Sequence, residues 1–393
     1  MRNQGQATKV VVVIGGGYAG TLAANHLLTR SDVDVTLVNP RPTFVERIRL
    51  HQMVAETGSA TVDYGKLLNP RIRLVVDAAT RIDAGGRRVR LASGSELHYD
   101  YVIYAVGSIA STGAVPGAAE HAFRIAELEH AERLRNRLAD VHPDAPVCVV
   151  GGGLTGIETA AELAHERAPV TLVCAARLGP SLSEPGRRSV ARQLARLGVQ
   201  VREGSAVAQV REGSVLLDDG RELPTAVTVW ATGFGVPDLA ARSGLSTDAI
   251  GRLLTDEALT SVDDERIVAA GDAAAPSDLP LRMSCQAAMP LGAQAANTVL
   301  SRIAGTTPAV VNQAFAGQCI SLGRSLGTFQ VQHTDDTPRR LYIGGRLAAV
   351  IKEQVCRATV SYIAREGRKP GSYLWLRGGK RPAPAPVAAS CPR

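Results

Sequence analysis

Two glycine turns carry the chemistry this sequence offers. Gly15-Gly-Gly-Tyr-Ala-Gly20 and Gly151-Gly-Gly-Leu-Thr-Gly156 share the spacing G-x-G-x-x-G and lie about 136 residues apart. In such a turn the first glycine permits the tight bend, and the second lets the backbone approach a pyrophosphate. The third lets helix and strand pack closely. The helix that follows presents unpaired N–H groups and a positive dipole end to the anion. One copy could be a bare tight turn. Two complete copies in the same setting predict two dinucleotide sites.

That setting is strand, turn, helix, strand. The apolar run Lys9 to Ile14 leads into the first turn, a helix is expected over Thr21 to Thr29, and a second strand over Val33 to Val38 ends at Asn39. Val147 to Val150, Ile157 to Glu166 and Val170 to Val173 repeat the pattern, so the chain duplicates one βαβ unit. An alternating stretch from Arg71 to Arg90, with Ala84-Gly-Gly86 as its turn, reads as a hairpin. Strand-like runs then end at Gly107, at Gly233 and at Gly271-Asp272, and an Ala-rich helix spans Cys285 to Ile303. Beyond Gly305 come short glycine-rich strands (Phe315 to Val331), an amphipathic stretch (Arg346 to Arg365) and a Pro/Ala tail.

A chain of 393 residues is long enough for two or three domains. With 45% hydrophobic and 21% charged residues it reads as globular, which excludes a disordered chain. The sequence holds no run of about 18 apolar residues and no secretory h-region, so a cytoplasmic protein is expected. Six cysteines at 148, 174, 285, 319, 356 and 391 never reach C-x-x-C spacing, which argues against a disulfide scaffold and against a metal site. From Thr306 onward 13 basic residues face 4 acidic ones, against 31 and 33 before it. The basic excess belongs to the C-terminal segment, and it carries no nucleic-acid motif.

The order of first fingerprint, Tyr104-Ala-Val-Gly107, second fingerprint, Ala231-Thr-Gly233 and Ala270-Gly-Asp272 resembles the two-dinucleotide-binding flavoproteins of the pyridine nucleotide-disulfide oxidoreductase superfamily, from about Lys9 to Ile303. The resemblance implies an α/β fold of two Rossmann-like three-layer domains, the NAD(P) domain inserted in the FAD domain, plus a C-terminal α+β segment. The implied boundaries are 1–112 and 236–305 for FAD, 113–235 for NAD(P), 306–380 for an interface or acceptor-side domain, and 381–393 for a disordered tail. It places FAD against Gly15, Gly16, Gly17, Tyr18, Ala19, Gly20, Asn39, Arg41, Arg47, Ala79, Ala105, Val106, Gly107, Gly271, Asp272 and Gln286. NAD(P)H falls against Gly151, Gly153, Leu154, Thr155, Gly156, Glu158, Arg177 and Gly233. Asp272 would accept from the ribitol hydroxyls; the plainer alternative is an N-cap.

No cysteine precedes Cys148, so the redox pair of the disulfide reductases has no counterpart. The segment Pro42 to His51 instead resembles type II NADH dehydrogenases and ferroptosis-suppressor-type quinone reductases. That implies hydride transfer from NAD(P)H to flavin and electron transfer to a quinone or other small acceptor. A tailoring enzyme of specialised metabolism and a reductase of a ferredoxin-like protein are the alternatives. Three positions depart from the pattern: Asn39 and Cys174 stand at strand ends that usually carry a carboxylate, and Pro290 replaces the second glutamine of a pair begun by Gln286. Glu158 is expected near the nicotinamide carboxamide, where it would act in catalysis; as a first-turn acid it would merely suit the helix dipole. Arg47, Arg49 and His51 are candidates to face the flavin in the segment that replaces the missing disulfide; a solvated helix face is the plainer alternative. Leu347, Ile351, Val355 and Tyr362 have helical spacing, beside Lys352, Arg357 and Arg365, and are expected to pack on the body. A peripheral membrane contact or a homodimer through this basic segment is the other outcome. With no acid at Cys174, and Arg177, Arg187 and Arg188 nearby, NADPH is expected over NADH.

Overall fold

The computed structural model describes residues 8–113, 115–166, 169–379 and 381. Short runs rich in β-branched residues form the buried central strands of two parallel sheets. In the first the order is Ile267–Ala269, Tyr101–Tyr104, Lys9–Ile14, Val33–Asn39, Arg73–Val76, every pair parallel. In the second it is Ala122–Arg124, Val227–Trp230, Val147–Val150, Val170–Cys174, Gln200–Glu203, again all parallel. The strand before each glycine turn is central in both, so the duplicated motif is a duplicated architecture.

Alternation along the second sheet shows its layers. Val147 and Val149 pack with Ile157, Ala160 and Ala161 of the helix Leu154–Glu166. Cys148 and Val150 point the other way, onto Val210, Val215 and Leu217 of an antiparallel three-stranded meander. Ala79–Asp83, Arg88–Leu91 and Glu96–His98 form the corresponding meander of the first unit, so the hairpin expected over Arg71 to Arg90 is redrawn: its start joins the parallel sheet and the meander extends past its end. Both fingerprint helices begin earlier than the sequence predicts, at Tyr18 and Leu154, because the turn's own residues already wind into the first helical turn.

The chain passes between the two units twice, and the passages pair with each other. Ile109–Ala110 is antiparallel to Phe234–Gly235, and Trp230 Nε1 donates to the Ser111 carbonyl at 3.0 Å.

The C-terminal segment is α+β. Gly317–Ser321, Gly327–Gln332 and Pro338–Gly344 form an antiparallel sheet, and the helix Gly345–Arg368 packs on it. A buried hydrogen bond ties that helix to the first fingerprint helix: His26 Nδ1 lies 2.7 Å from Glu366 Oε1, and His26 Nε2 3.1 Å from Asn297 Oδ1. Glu366 also accepts from the N–H groups of Gly371 and Tyr373.

The predicted packing face of this helix is corrected. Its buried residues are Ala348, Lys352, Cys356, Thr359, Ile363, Glu366 and Gly367, whereas Leu347 is 60% exposed, Val355 39% and Tyr362 49%. Small residues let the helix approach the sheet closely, and that won over the larger apolar stripe. The Pro/Ala tail, but for Arg381, lies outside the described residues.

Candidate functional site

The first glycine turn opens into a cleft of about 330 Å³. Gly15 holds φ +102°, a conformation that suits glycine, and a Cβ there would lie 2.3 Å from the Ala105 carbonyl oxygen. A Cβ on Gly20 would meet the Gly15 oxygen at 1.8 Å, whereas one on Gly17 would meet nothing. The helix and strand are therefore locked together while the second-glycine position faces open space. That is the cradle a dinucleotide pyrophosphate requires.

Ten of the sixteen residues expected at the first cofactor line this cleft: Gly15, Gly16, Gly17, Asn39, Arg41, Arg47, Ala79, Ala105, Val106 and Gly107. Tyr18, Ala19 and Gly20 begin the helix behind the turn, with the buried Tyr18 hydroxyl unpartnered among the described residues. Gly271 packs on Ala19, where a Cβ would come within 2.9 Å. Asp272 does not cap the short turn it sits in. Its Oδ2 accepts from Ser108 Oγ at 2.7 Å and lies 3.9 Å from Arg47 Nη1, and Arg47 also donates to Ser108 and to the Ala126 carbonyl. Ser108 was not expected; its place after Gly107 is the only signal for it.

Three of the expected residues have partners within the fold. Asn39 Oδ1 accepts from Gly16 N at 2.9 Å and its Nδ2 donates to the Arg41 carbonyl at 2.8 Å, so this amide braces the turn from the cleft wall. Arg41 forks onto Glu129. Gln286 sits apart from the cleft, its amide donating to the Gly317 carbonyl and accepting from Ala316 N, both at 3.0 Å. That amide holds the start of the helix Cys285–Ile303 to the C-terminal segment.

The second turn repeats the first. Gly151 has φ +129°, Gly156 would place a Cβ 1.9 Å from the Gly151 oxygen, and a Cβ on Gly153 would meet nothing. Leu154 and Thr155 open the helix. Gly233, at φ +72°, abuts the Ser111 carbonyl. Arg177 is exposed. Arg187 and Arg188, expected to offer charge to a phosphate, are both bonded to Glu184.

Glu158, one turn further along this helix, is buried. Its Oε1 lies 2.8 Å from Lys352 Nζ and accepts from Ser321 N at 2.8 Å, so the C-terminal segment reaches into the second unit. Burial would raise this carboxyl, but the Lys352 ammonium and the Ser321 N–H outweigh it and hold it below the usual range. Burial would likewise lower Lys352, yet Glu158 keeps it raised. Both are therefore charged at neutral pH.

His51 adjoins this pair and is 3% exposed, with Nε2 unpartnered among the described residues. Burial first, and then neighbouring cations, push it down to about 4. Arg49 bonds Glu353 at 3.1 Å and lies 3.3 Å from Glu46. The solvated helix face offered as the alternative for His51 and Arg49 is thus corrected: these residues form the seam between the first unit and the C-terminal helix. Lys352 was expected on a polar flank. The four-residue spacing Ala348, Lys352, Cys356 is the signal that could have found it.

The five described cysteines are free thiols. Burial pushes Cys148, Cys174 and Cys319 up to about 12 and Cys356 up to about 11, which leaves little thiolate at neutral pH. Among the described residues no group of His, Cys, Asp and Glu could hold a metal ion, and no helix is long and apolar enough to cross a membrane.

Two open glycine cradles on duplicated parallel sheets, with an ionised carboxylate buried beyond the second, define a two-dinucleotide oxidoreductase. Residues 9–296 match the family model of the pyridine nucleotide-disulphide oxidoreductases, and the chain belongs to that family. An NADH dehydrogenase-like protein of Mycobacterium tuberculosis is 33% identical over 321 residues, 74% of this chain and 80% of its own. The type II NADH:quinone oxidoreductase of Staphylococcus epidermidis is 25% identical over 393 residues, covering 89% and 94%. Among solved structures, the sulfide:quinone oxidoreductase of Aquifex aeolicus has a TM-score of 0.79 at 20% identity, covering 95% of this chain and 100% of its own. NDH2 of Plasmodium falciparum has 0.77 at 15%, covering 92% and 98%. These last two show the shared fold. The protein is an NAD(P)H oxidoreductase whose cofactors are FAD and a nicotinamide dinucleotide.

Proposed function

We propose that the first cleft holds FAD, that the second turn holds NAD(P)H, and that electrons leave to a small quinone-class acceptor. The observation that carries this reading is Glu158: an ionised carboxylate at the second fingerprint helix, fixed from behind by Lys352 and Ser321. FAD, when bound, supplies acceptance of a hydride and its onward release as electrons. The chain's own share is placement. The turns at Gly15 and Gly151 present N–H groups to pyrophosphates. Ser108, which lines the first cleft, donates to the Asp272 carboxylate and accepts from Arg47. Glu158, already charged, serves as an oriented acceptor for an amide N–H and not as a proton donor.

The high thiols support a route without a sulfur relay, and the Staphylococcus relative, named for a quinone, supports the acceptor class. Stopped-flow mixing under argon tests the whole reading. NADH or NADPH should bleach a stoichiometric, noncovalent flavin, and a short-chain quinone should restore it at a rate insensitive to added salt. A colourless protein that cannot be reconstituted refutes the cofactor assignment. Reoxidation only by an acidic redox protein, failing steeply with salt, refutes the acceptor.

We also propose peripheral membrane contact through the C-terminal segment. Leu341, Leu347, Val350, Leu374 and Leu376 are exposed, with Arg339, Arg340, Arg346 and Arg377 among them.

A further inference from the structure

We propose that Glu203 reads the 2′ position of the adenosine ribose in the second nucleotide unit and selects NADH. This rests on the reading of that unit as the nicotinamide coenzyme's. In a parallel nucleotide sheet the ligand lies beyond the carboxyl ends of the strands, and the ribose-reading position at the end of Val170–Cys174 holds a cysteine. The adjacent strand ends in Glu203, in register with Cys174. Residues in register on parallel neighbours project to one face. Cys174 shows which face this is, because its Sγ would lie 2.7 Å from a Cβ on Gly152, inside the glycine turn. Glu203 is close enough for its charge to act on the Cys174 thiol, second only to burial.

The carboxylate is also held still. Glu203 Oε1 accepts from Leu178 N at 2.5 Å and lies 3.9 Å from Arg187 Nη1. The loop and the strand end are stitched together by Gly204 N to the Ala176 carbonyl at 2.8 Å and Ser205 N to the Cys174 carbonyl at 3.1 Å. Both side-chain contacts use Oε1; among the described residues nothing holds Oε2, and the side chain is 45% exposed. A half-open, oriented carboxylate accepts from paired ribose hydroxyls and repels a phosphate.

The basic residues nearby offset it only in part. Arg187 shares its charge between Glu203 and a closer contact with Glu184, Arg188 is bonded to Glu184, and the charge of Arg177 acts on that same glutamate. Toward the turn, Arg177 presents its backbone oxygen, 3.3 Å from the Gly152 Cβ position.

Glu203→Gln keeps an oxygen for Leu178 N while removing the charge, so the loop should stay folded. Titration calorimetry on the flavin-loaded enzyme would compare ADP-ribose with 2′-phospho-ADP-ribose. The wild type should bind ADP-ribose roughly 10–100-fold more tightly, and Glu203→Gln should bring the ratio to about one by gaining on the phosphorylated ligand. The kcat/KM ratio of NADH to NADPH should move in parallel, through KM. Wild-type preference for the 2′-phosphate, or an unchanged ratio in Glu203→Gln of native flavin content and circular dichroism, overturns the assignment to Glu203. Failure of both ligands to bind a flavin-loaded wild type overturns it too, and with it the reading of the second unit.

Discussion

Glu158 and Lys352 come from distant parts of the chain and meet where water is excluded, so each depends on the other. Removing one partner of such a pair leaves a buried charge unanswered, typically at about 3–5 kcal/mol. Lys352→Met or Glu158→Gln alone should therefore lower unfolding stability by about that much, and the double variant by clearly less than the sum, read from urea midpoints of the flavin-loaded protein. Additive losses would show that the two do not act as a pair. His51 adds a pH dependence. Its folded value near 4 lies below the ordinary 6.5, so between these values the unfolded chain binds a proton that the folded chain refuses. Stability then falls as pH falls, by about 2 kcal/mol between pH 7 and 5. His51→Gln should lose that part of the acid sensitivity, and identical slopes in both proteins would contradict it. The glycines were legible residue by residue because each answers to a local requirement: a positive φ, or a carbonyl less than a Cβ radius away. Lys352 and His51 were not: the spacing of Ala348, Lys352 and Cys356 hints at a buried face, but the groups that surround these two come from distant parts of the chain.

The C-terminal helix shows how an element can be found and still be turned the wrong way. Its periodicity was visible, and its observed span of Gly345–Arg368 contains the predicted stretch. Its rotation was not, because hydrophobic size pointed to Leu347 and Val355 while close approach demanded Ala348, Cys356 and Gly367. The face left outside carries Leu347, Val355 and Tyr362, and beyond the helix Leu374 and Leu376 are 86% and 63% exposed. Co-sedimentation with anionic phospholipid vesicles should capture the wild type, less so in high salt. Leu374→Ser with Leu376→Ser should reduce the bound fraction about tenfold or more, at roughly 1 kcal/mol per partly inserted side chain. Protein that ignores vesicles but sediments as a dimer would assign this face to a second copy instead.

At the scale of the whole molecule the duplication was the most legible feature, since two strand–turn–helix units with matching glycines left little freedom in topology. The seam was illegible. It is built by Glu353 on Arg49, by Glu366 on His26 and by Lys352 on Glu158, all long-range pairs that follow no local pattern. The ribbon of Ile109–Ala110 against Phe234–Gly235 has a separate consequence. It brings the entry and exit of the inserted nucleotide unit side by side, so that unit is attached to the rest as a page is to a spine. Replacing a unit attached in this way takes two cuts that lie side by side, with no loop to rebuild. The exchange is nonetheless policed from outside the ribbon. Any incoming unit without an acid at the position of Glu158 would close onto the Lys352 ammonium, and the mismatch would register as instability before any coenzyme was encountered.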